Sequence, residues 1–361
     1  GEADSLRTVF KNVDGVVEAT VLPHGAHEHQ LVDLSSETDP EAELDRWIEA
    51  RIRRSFDLGR SSFDSALLRL GDERWTWFFD QHHIITDAWS VGLIIRRVGA
   101  HYDRLGGDAA EPLPSLPAYR DHVAREHTDA TGPLAEASVA YWREKQRTAP
   151  RPPELYGQPS SSTTGASTRV KIPLGAGRAE RISTLAGADG VRLLSKDLTR
   201  FSLFATAICA FLARVSGQRA VTLGAPSHNR RTAADRETIG LFVELFPLTA
   251  QLEEGASFRE LYGTVATEAS GLLMHGRPGL STPGTVRLFN VVLNYINVAF
   301  GDFGSHAAQV EWLDSGAIDP AHALRFHVHD FAATGEPELL VDINRELFDP
   351  ALSVNLPRHF L

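Results

Sequence analysis

The chain has 361 residues, is 42% hydrophobic and 23% charged, and carries 36 Lys and Arg against 47 Asp and Glu, a net charge of -11. That composition is globular rather than disordered, and its acidic balance argues against a nucleic-acid or anionic-membrane surface. A single cysteine, Cys209, excludes an intramolecular disulfide and points to a reducing, cytoplasmic compartment.

No apolar run approaches membrane-spanning length. Residue 1 is glycine and Met274 is the one methionine, so the sequence reads as a piece of a longer chain.

In chain order, Val16 to Leu22 is β-branched and predicts a strand. Asp39, Pro40, Glu41 and Glu43 open a helix whose buried face is Leu44, Trp47, Ile48 and Ile52. Ser65 to Leu70 and Arg74 to His83 flank a Gly71-Asp72-Glu73 turn and predict a hairpin. A helix from about Ala88 to Leu105 follows, with Ile94, Val98, Tyr102 and Leu105 as its expected apolar face. Helices fit Ala118 to Glu126 and Pro133 to Arg147. Thr148 to Ser167 is rich in Pro, Ser, Thr and Gly and is the expected lobe boundary.

The second half mixes the same ingredients. Strands are expected at Thr168 to Ile172, Ala220 to Leu223, Leu288 to Ile296, Leu324 to Val328 and Glu338 to Ile343. Ser202 to Val215 is an apolar helix ended by Gly217. Ser257 to Glu260 is a capping box for a helix to Met274. Asp349 and Pro350 open a last helix. The class is α/β (α+β), in two lobes, 1–147 and 148–361.

The most unusual local pattern is Gln81-His82-His83-Ile84-Ile85-Thr86-Asp87-Ala88-Trp89-Ser90. If both histidines end the strand, they point to opposite faces, and at most one meets a substrate directly. His83 then shares a face with Trp75, Trp77, Phe79 and Gln81. Taken alone, Asp87 also fits a plain helix N-cap, and either histidine fits a hydrogen-bonded core residue. His24, His27 and His29 cluster, and His327 and His329 share a strand face, but both sets read as ordinary histidines and no metal site is expected. Cys209 reads as core.

The segment resembles the His-His-x-x-x-Asp-Gly core of the CoA-dependent acyltransferase superfamily, and more specifically condensation domains of nonribosomal peptide synthetases. Further matches follow in the family's order. They are Ser5 to Phe10, Ser55 to Leu58, Tyr119-Arg120-Asp121-His122, Tyr141-Trp142, Gly224-Ala225-Pro226 with Asn229-Arg230, Ile239 to Val243, and Phe289 to Asn297. Departures are Ala88 for the family's glycine, Glu244-Leu245 for its Asn-Thr, and the lack of its opening motif and of a late Arg-Asp-x-Ser-Arg. Residue 1 aligns inside the family's first lobe, and the chain ends within its last helix.

The resemblance implies two chloramphenicol-acetyltransferase-like lobes in a V-shaped pseudo-dimer, with the active site at the cleft. It implies amide formation between acyl groups carried on the 4'-phosphopantetheine arms of donor and acceptor carrier proteins, with no intrinsic cofactor. It also allows neighbouring adenylation or ketosynthase domains as partners. An ester-forming variant, a silent gating or recruitment domain and, lower, an epimerase are the alternatives.

The residues implied are His83 as base or positioning group, His82 beside it, and Asp87 as a structural carboxylate. Asp87 would pair with Arg230 or Arg7, with Ala88, Trp89 and Ser90 as the supporting loop and Asn294 and Tyr295 at the substrate tunnel. Asn294 shares its strand face with Asn290 and also fits a structural hydrogen bond. Ala88 leaves open an active enzyme with a changed channel, a slow one, or a retired one. The cost is about 1 kcal/mol if the position needs positive φ.

Overall fold

A computed structural model describes residues 2–25, 29–107 and 112–361. His27, part of the first histidine cluster, lies outside them. Two compact units divide the chain.

The first unit holds residues 1–125, 230–242 and 302–315. Its elements begin with β1 (Thr8–Val13) and β2 (Val16–Val21), an antiparallel pair. A three-stranded sheet joins β3 (Gln30–Asp33), β4 (Phe63–Arg69) and β5 (Trp75–Gln81), parallel at β3–β4 and antiparallel at β4–β5. Helix α1 (Pro40–Ile52) starts on the Asp39 cap as expected, and Leu44 is buried with Ala66, Leu68 and Phe78. Next come α2 (Ala88–Gly106) and α3 (Tyr119–Asp129), which runs past the unit's edge.

Of the apolar face expected for α2, only Ile94 is buried. Val98, Tyr102 and Leu105 are exposed, whereas Ser90, Gly92, Leu93, Ile94 and Gly99 are buried. Small residues mark the close-packed side: a Cβ on Gly99 would overlap the backbone of Gly304. Periodicity weights bulk, and in the second half of α2 the bulk of Val98, Tyr102 and Leu105 sits outside.

The second unit holds residues 126–229, 243–301 and 316–361. It contains α4 (Pro133–Thr148), β6 (Ser167–Ile172), α5 (Ala176–Gly187), α6 (Lys196–Ser216) and β7 (Ala220–Ser227). The chain then adds α7 (Ala233–Glu237) to the first unit. It continues in the second with β8 (Glu244–Gln251), α8 (Phe258–His275), α9 (Pro283–Val286), β9 (Val291–Ile296), β10 (Leu324–His329), β11 (Glu338–Asn344) and α10 (Pro350–Phe360).

The strands form one sheet in the order β6-β11-β10-β9-β7-β8. Only the β10–β9 and β9–β7 pairs are parallel. One sheet face, with Phe326, Val328, Leu293 and Val341, packs on α6 and α8.

Helix α6 starts at Lys196 on a Ser195 cap, earlier than the apolar run suggests. By length and composition it is long and apolar enough to cross a membrane, against the expectation that no run approaches that length. Its Leu203, Ala205, Ile208, Cys209 and Leu212 are nonetheless buried in the unit's own core. Burial pushes the Cys209 thiol up to about 12. Residues 148–167 carry no long element, and Asn290 donates from Nδ2 to the carbonyls of Pro153 (2.9 Å) and Ser160 (3.1 Å), pinning that stretch.

Candidate active site

Strand β5 stops at Gln81, so the alternation rule does not reach both histidines. The His82 N–H still donates to the Ser62 carbonyl (2.8 Å), and a turn through His83 and Ile84 closes as Ile85 N–H donates to the His82 carbonyl (3.2 Å). Both imidazoles are exposed. His82 Nδ1 accepts from the Ile84 N–H (3.1 Å), so Nδ1 carries no proton and Nε2 does. Partial burial, and then the neighbouring His83, hold His82 below the ordinary imidazole range. Among the described residues His83 has no side-chain hydrogen bond, which leaves its exposed ring nitrogens uncommitted within the protein.

Four residues on, the environment inverts. Asp87 is 3% exposed and caps α2, accepting from the Ser90 N–H (2.8 Å). Arg230 Nη2 donates to both its oxygens (2.9 and 3.1 Å), and Phe242 N–H donates to Oδ2 (3.1 Å). Arg230 is the partner; Arg7 instead donates to the Leu22 carbonyl.

Arg230 is itself enclosed. Its Nη1 bonds the Thr238 carbonyl (2.7 Å), its Nη2 the Ser90 hydroxyl (2.8 Å), and its guanidinium lies 4.0 Å from the Phe242 ring centroid. Ser90 Oγ donates to the Gly240 carbonyl (2.7 Å) and accepts from the Gly240 N–H (3.0 Å). Trp89 Nε1 donates to the Arg236 carbonyl (2.8 Å).

Ala88 is the first residue of α2 and is not among the residues with positive φ. The strain that a left-handed backbone would impose on an alanine is absent.

The other motif segments of the first unit meet here too. Tyr119 Oη donates to the Leu241 carbonyl (2.5 Å), and the His122 ring centroid is 4.0 Å from that of Phe242. Gly240 is glycine because a Cβ there would enter the Tyr119 ring. Asp4 is a contributor that sequence reasoning missed. Its carboxylate accepts from Tyr119 N–H (2.8 Å) and Arg120 N–H (3.1 Å), capping α3 from 115 residues away. No local pattern marks so distant a cap.

Asn294 and Tyr295, in the second unit, leave β9 on opposite faces. Tyr295 packs on the core, its ring 6.3 Å from Phe204, and burial raises its phenol. Asn294 is half-buried and pairs with His327 on β10. Glu244, where the family has Asn, accepts from Gly279 N–H (2.6 Å) and Ser281 N–H (2.9 Å) and so shapes a loop.

An exposed imidazole on a tight turn thus stands beside a helix capped by an enclosed Asp–Arg pair, in a mixed α/β protein. The condensation-domain profile matches residues 2–295, and the chain belongs to that family.

Relatives include malpinin synthetase of Mortierella alpina, 28% identical over 75% of this chain and 4% of that protein. A linear gramicidin synthase of Brevibacillus parabrevis is 27% identical over 75% and 5%. The dimodular nonribosomal peptide synthase of Bacillus subtilis is 26% identical over 96% and 15%. The chain therefore spans a small fraction of each.

Two solved structures share the fold. The starter condensation domain of rhizomide synthetase, solved with C8-CoA and Leu-SNAC, gives a TM-score of 0.81 at 22% identity, over 99% of this chain and 81% of that one. The first condensation domain of the CDA synthetase gives 0.79 at 23%, over 99% and 83%.

Proposed function

We propose that this domain joins the amine of a carrier-bound acceptor to a carrier-bound acyl or peptidyl thioester, forming an amide in nonribosomal peptide or hybrid peptide–polyketide synthesis. The observation that carries the reading is the split within one motif: His83 exposed on a turn, Asp87 sealed in an ion pair.

The amine attacks the thioester carbonyl, its surplus proton leaves, and the thiolate of the donor arm departs with a proton. His83 is the group at the reacting atoms, as proton acceptor or as the hydrogen bond that holds the amine. Asp87 and Arg230 hold Ala88, Trp89 and Ser90, expected as a loop but forming the first turn of α2, in shape. His82, neutral and committed through Nδ1 to the turn, supports His83. The cytoplasmic location and carrier domains as partners belong to the same proposal.

The test is reconstitution. Donor and acceptor are loaded onto carrier proteins and product is followed by mass spectrometry, with His83→Ala as control. Expected is product with the native chain and a loss of about 10²–10⁴-fold in the variant. Equal turnover by the variant would sink the role of His83. Intact carrier binding without product from any pair would favour the silent recruitment reading. Ala88 in an ordinary helical start favours the active one. An ester product with a hydroxyl acceptor would move the assignment to the ester-forming variant.

A further inference from the structure

A second polar constellation lies in the other unit, on the sheet face opposite the α6 core. Four adjacent strands contribute one side chain each. Arg169 on β6 donates to Asp342 on β11 from Nε to Oδ1 (2.6 Å) and from Nη2 to Oδ2 (3.0 Å). His327 Nε2 on β10 meets Asp342 Oδ2 at 2.8 Å. Its Nδ1 meets Asn294 Nδ2 on β9 at 3.3 Å. Asp342 and His327 are buried, at 4% exposure each. Asn294 is half-buried.

The hydrogen bonds along this row limit where its protons sit. Burial alone would push Asp342 up, but the hydrogen bonds from His327 and Arg169 outweigh it and hold the carboxyl well below its ordinary range. Ionised, it only accepts, so His327 carries its proton on Nε2. Burial holds His327 below the ordinary imidazole range, against the pull of Asp342 and with the help of Arg169 and Arg325. Burial thus favours the neutral ring, in which Nδ1 is an acceptor. Asn294 must then give Nδ2–H to Nδ1, which turns its Oδ1 away from His327. Among the described residues Oδ1 takes no hydrogen bond.

We infer that Asn294 is a ligand-binding residue whose amide polarity is set by the Arg169–Asp342–His327 row, so that it offers a carbonyl to an N–H donor of the substrate. The inference rests on the condensation reading for its ligand class: an amide N–H of a pantetheine arm or the amine of an aminoacyl thioester. His327, Asp342 and Arg169 are positioning residues in this scheme.

Two measurements test it without needing turnover. Imidazole ¹⁵N shifts of the whole chain at pH 7 should assign His327 as the neutral Nε2–H form; a doubly protonated ring or an Nδ1–H form overturns the assignment. Binding of pantetheine, and separately of leucine methyl ester, is then measured by calorimetry. Asn294→Ala should weaken one of the two at least tenfold, and which one identifies the source of the N–H.

His327→Gln preserves both polarities, with its carbonyl towards Asn294 and its amide towards Asp342, and should bind within threefold of the native chain. His327→Leu should match Asn294→Ala, with folding checked by its melting curve. Unchanged affinity for both probes in Asn294→Ala overturns the inference. Absence of condensation with these results intact would instead count against the proposed reaction alone.

Discussion

Each unit buries an aspartate against an arginine, and the two pairs are built differently. Asp87 and Arg230 are tied mainly to main chain: the carboxylate takes the N–H groups of Ser90 and Phe242, and the guanidinium takes the carbonyls of Thr238 and Gly240. Asp342 and Arg169 face each other across neighbouring strands, and Asp342 is otherwise met by the side chain of His327. The first pair therefore shapes backbone. The second fixes the polarity of side chains on a backbone that the sheet already determines. Charge and burial are alike in the two; what differs is what loses its partner when the charges go.

The largest effect that sharpens this contrast is at Asp87. Asp87→Ala leaves a buried guanidinium and two N–H groups unmet, and should cost about 3–5 kcal/mol in chemical denaturation as well as activity. A variant with a normal melting temperature and no turnover would overturn the structural role. Replacing Asp87 and Arg230 together by apolar residues should not restore stability, because the main-chain groups stay orphaned. The matching Asp342→Leu, Arg169→Met pair should recover to within about 1–2 kcal/mol of native, as buried ion pairs replaced by packed apolar groups commonly do. Equal penalties in the two double variants would erase the distinction.

Gly240→Ala drives a methyl into the Tyr119 ring and should cost about 1–3 kcal/mol, read from the denaturation midpoint.

Acid should act next, and chiefly on the second unit. Burial lowers His322 to about 4, with Arg325 adding to the shift, and burial likewise lowers His329 to about 4. The unfolded chain takes up these protons near pH 6.5, while the native state resists until about pH 4. Stability should therefore be fully present above about pH 7 and fall steadily between about 6.5 and 4. Flat denaturation midpoints across that window would contradict it.

The smallest effect expected is at Ala88. Ala88→Gly should lower stability by about 0.5–1 kcal/mol at most, since the helix start needs no glycine. A stabilising result would mean that the methyl is strained where it sits.

Much of this is legible in the residues. Asp39, Ser257 and Asp349 announce their helices because capping is local chemistry, and the Asp87–Arg230 alternative follows from the resemblance. The buried face of α2 is only partly legible, because Ser90, Gly92 and Gly99 share it with Leu93 and Ile94. The end of β5 one residue before His82 is invisible because a turn closed by a single hydrogen bond leaves no compositional trace. The four-strand row is hidden as well. Arg169, Asn294, His327 and Asp342 become neighbours only through strand register, which depends on pairings far apart in sequence. Asn290 stands beside Asn294 in the sequence pattern, yet one amide holds a loop and the other faces an imidazole.

The distance along the chain between the two ends of the first ion pair has a consequence during synthesis. Asp87 leaves the ribosome 143 residues ahead of Arg230. At the usual pace of about 5–20 residues per second, that is roughly seven to thirty seconds. For that interval the histidine turn and the start of α2 exist without their counter-ion, with Phe242 and its N–H still to come. The first unit cannot close on its own nascent segment. It must wait for the segments made among the second unit's strands, so the histidine motif belongs to the late contacts of folding, and a chain interrupted before residue 242 would hold every residue of that motif without its shape.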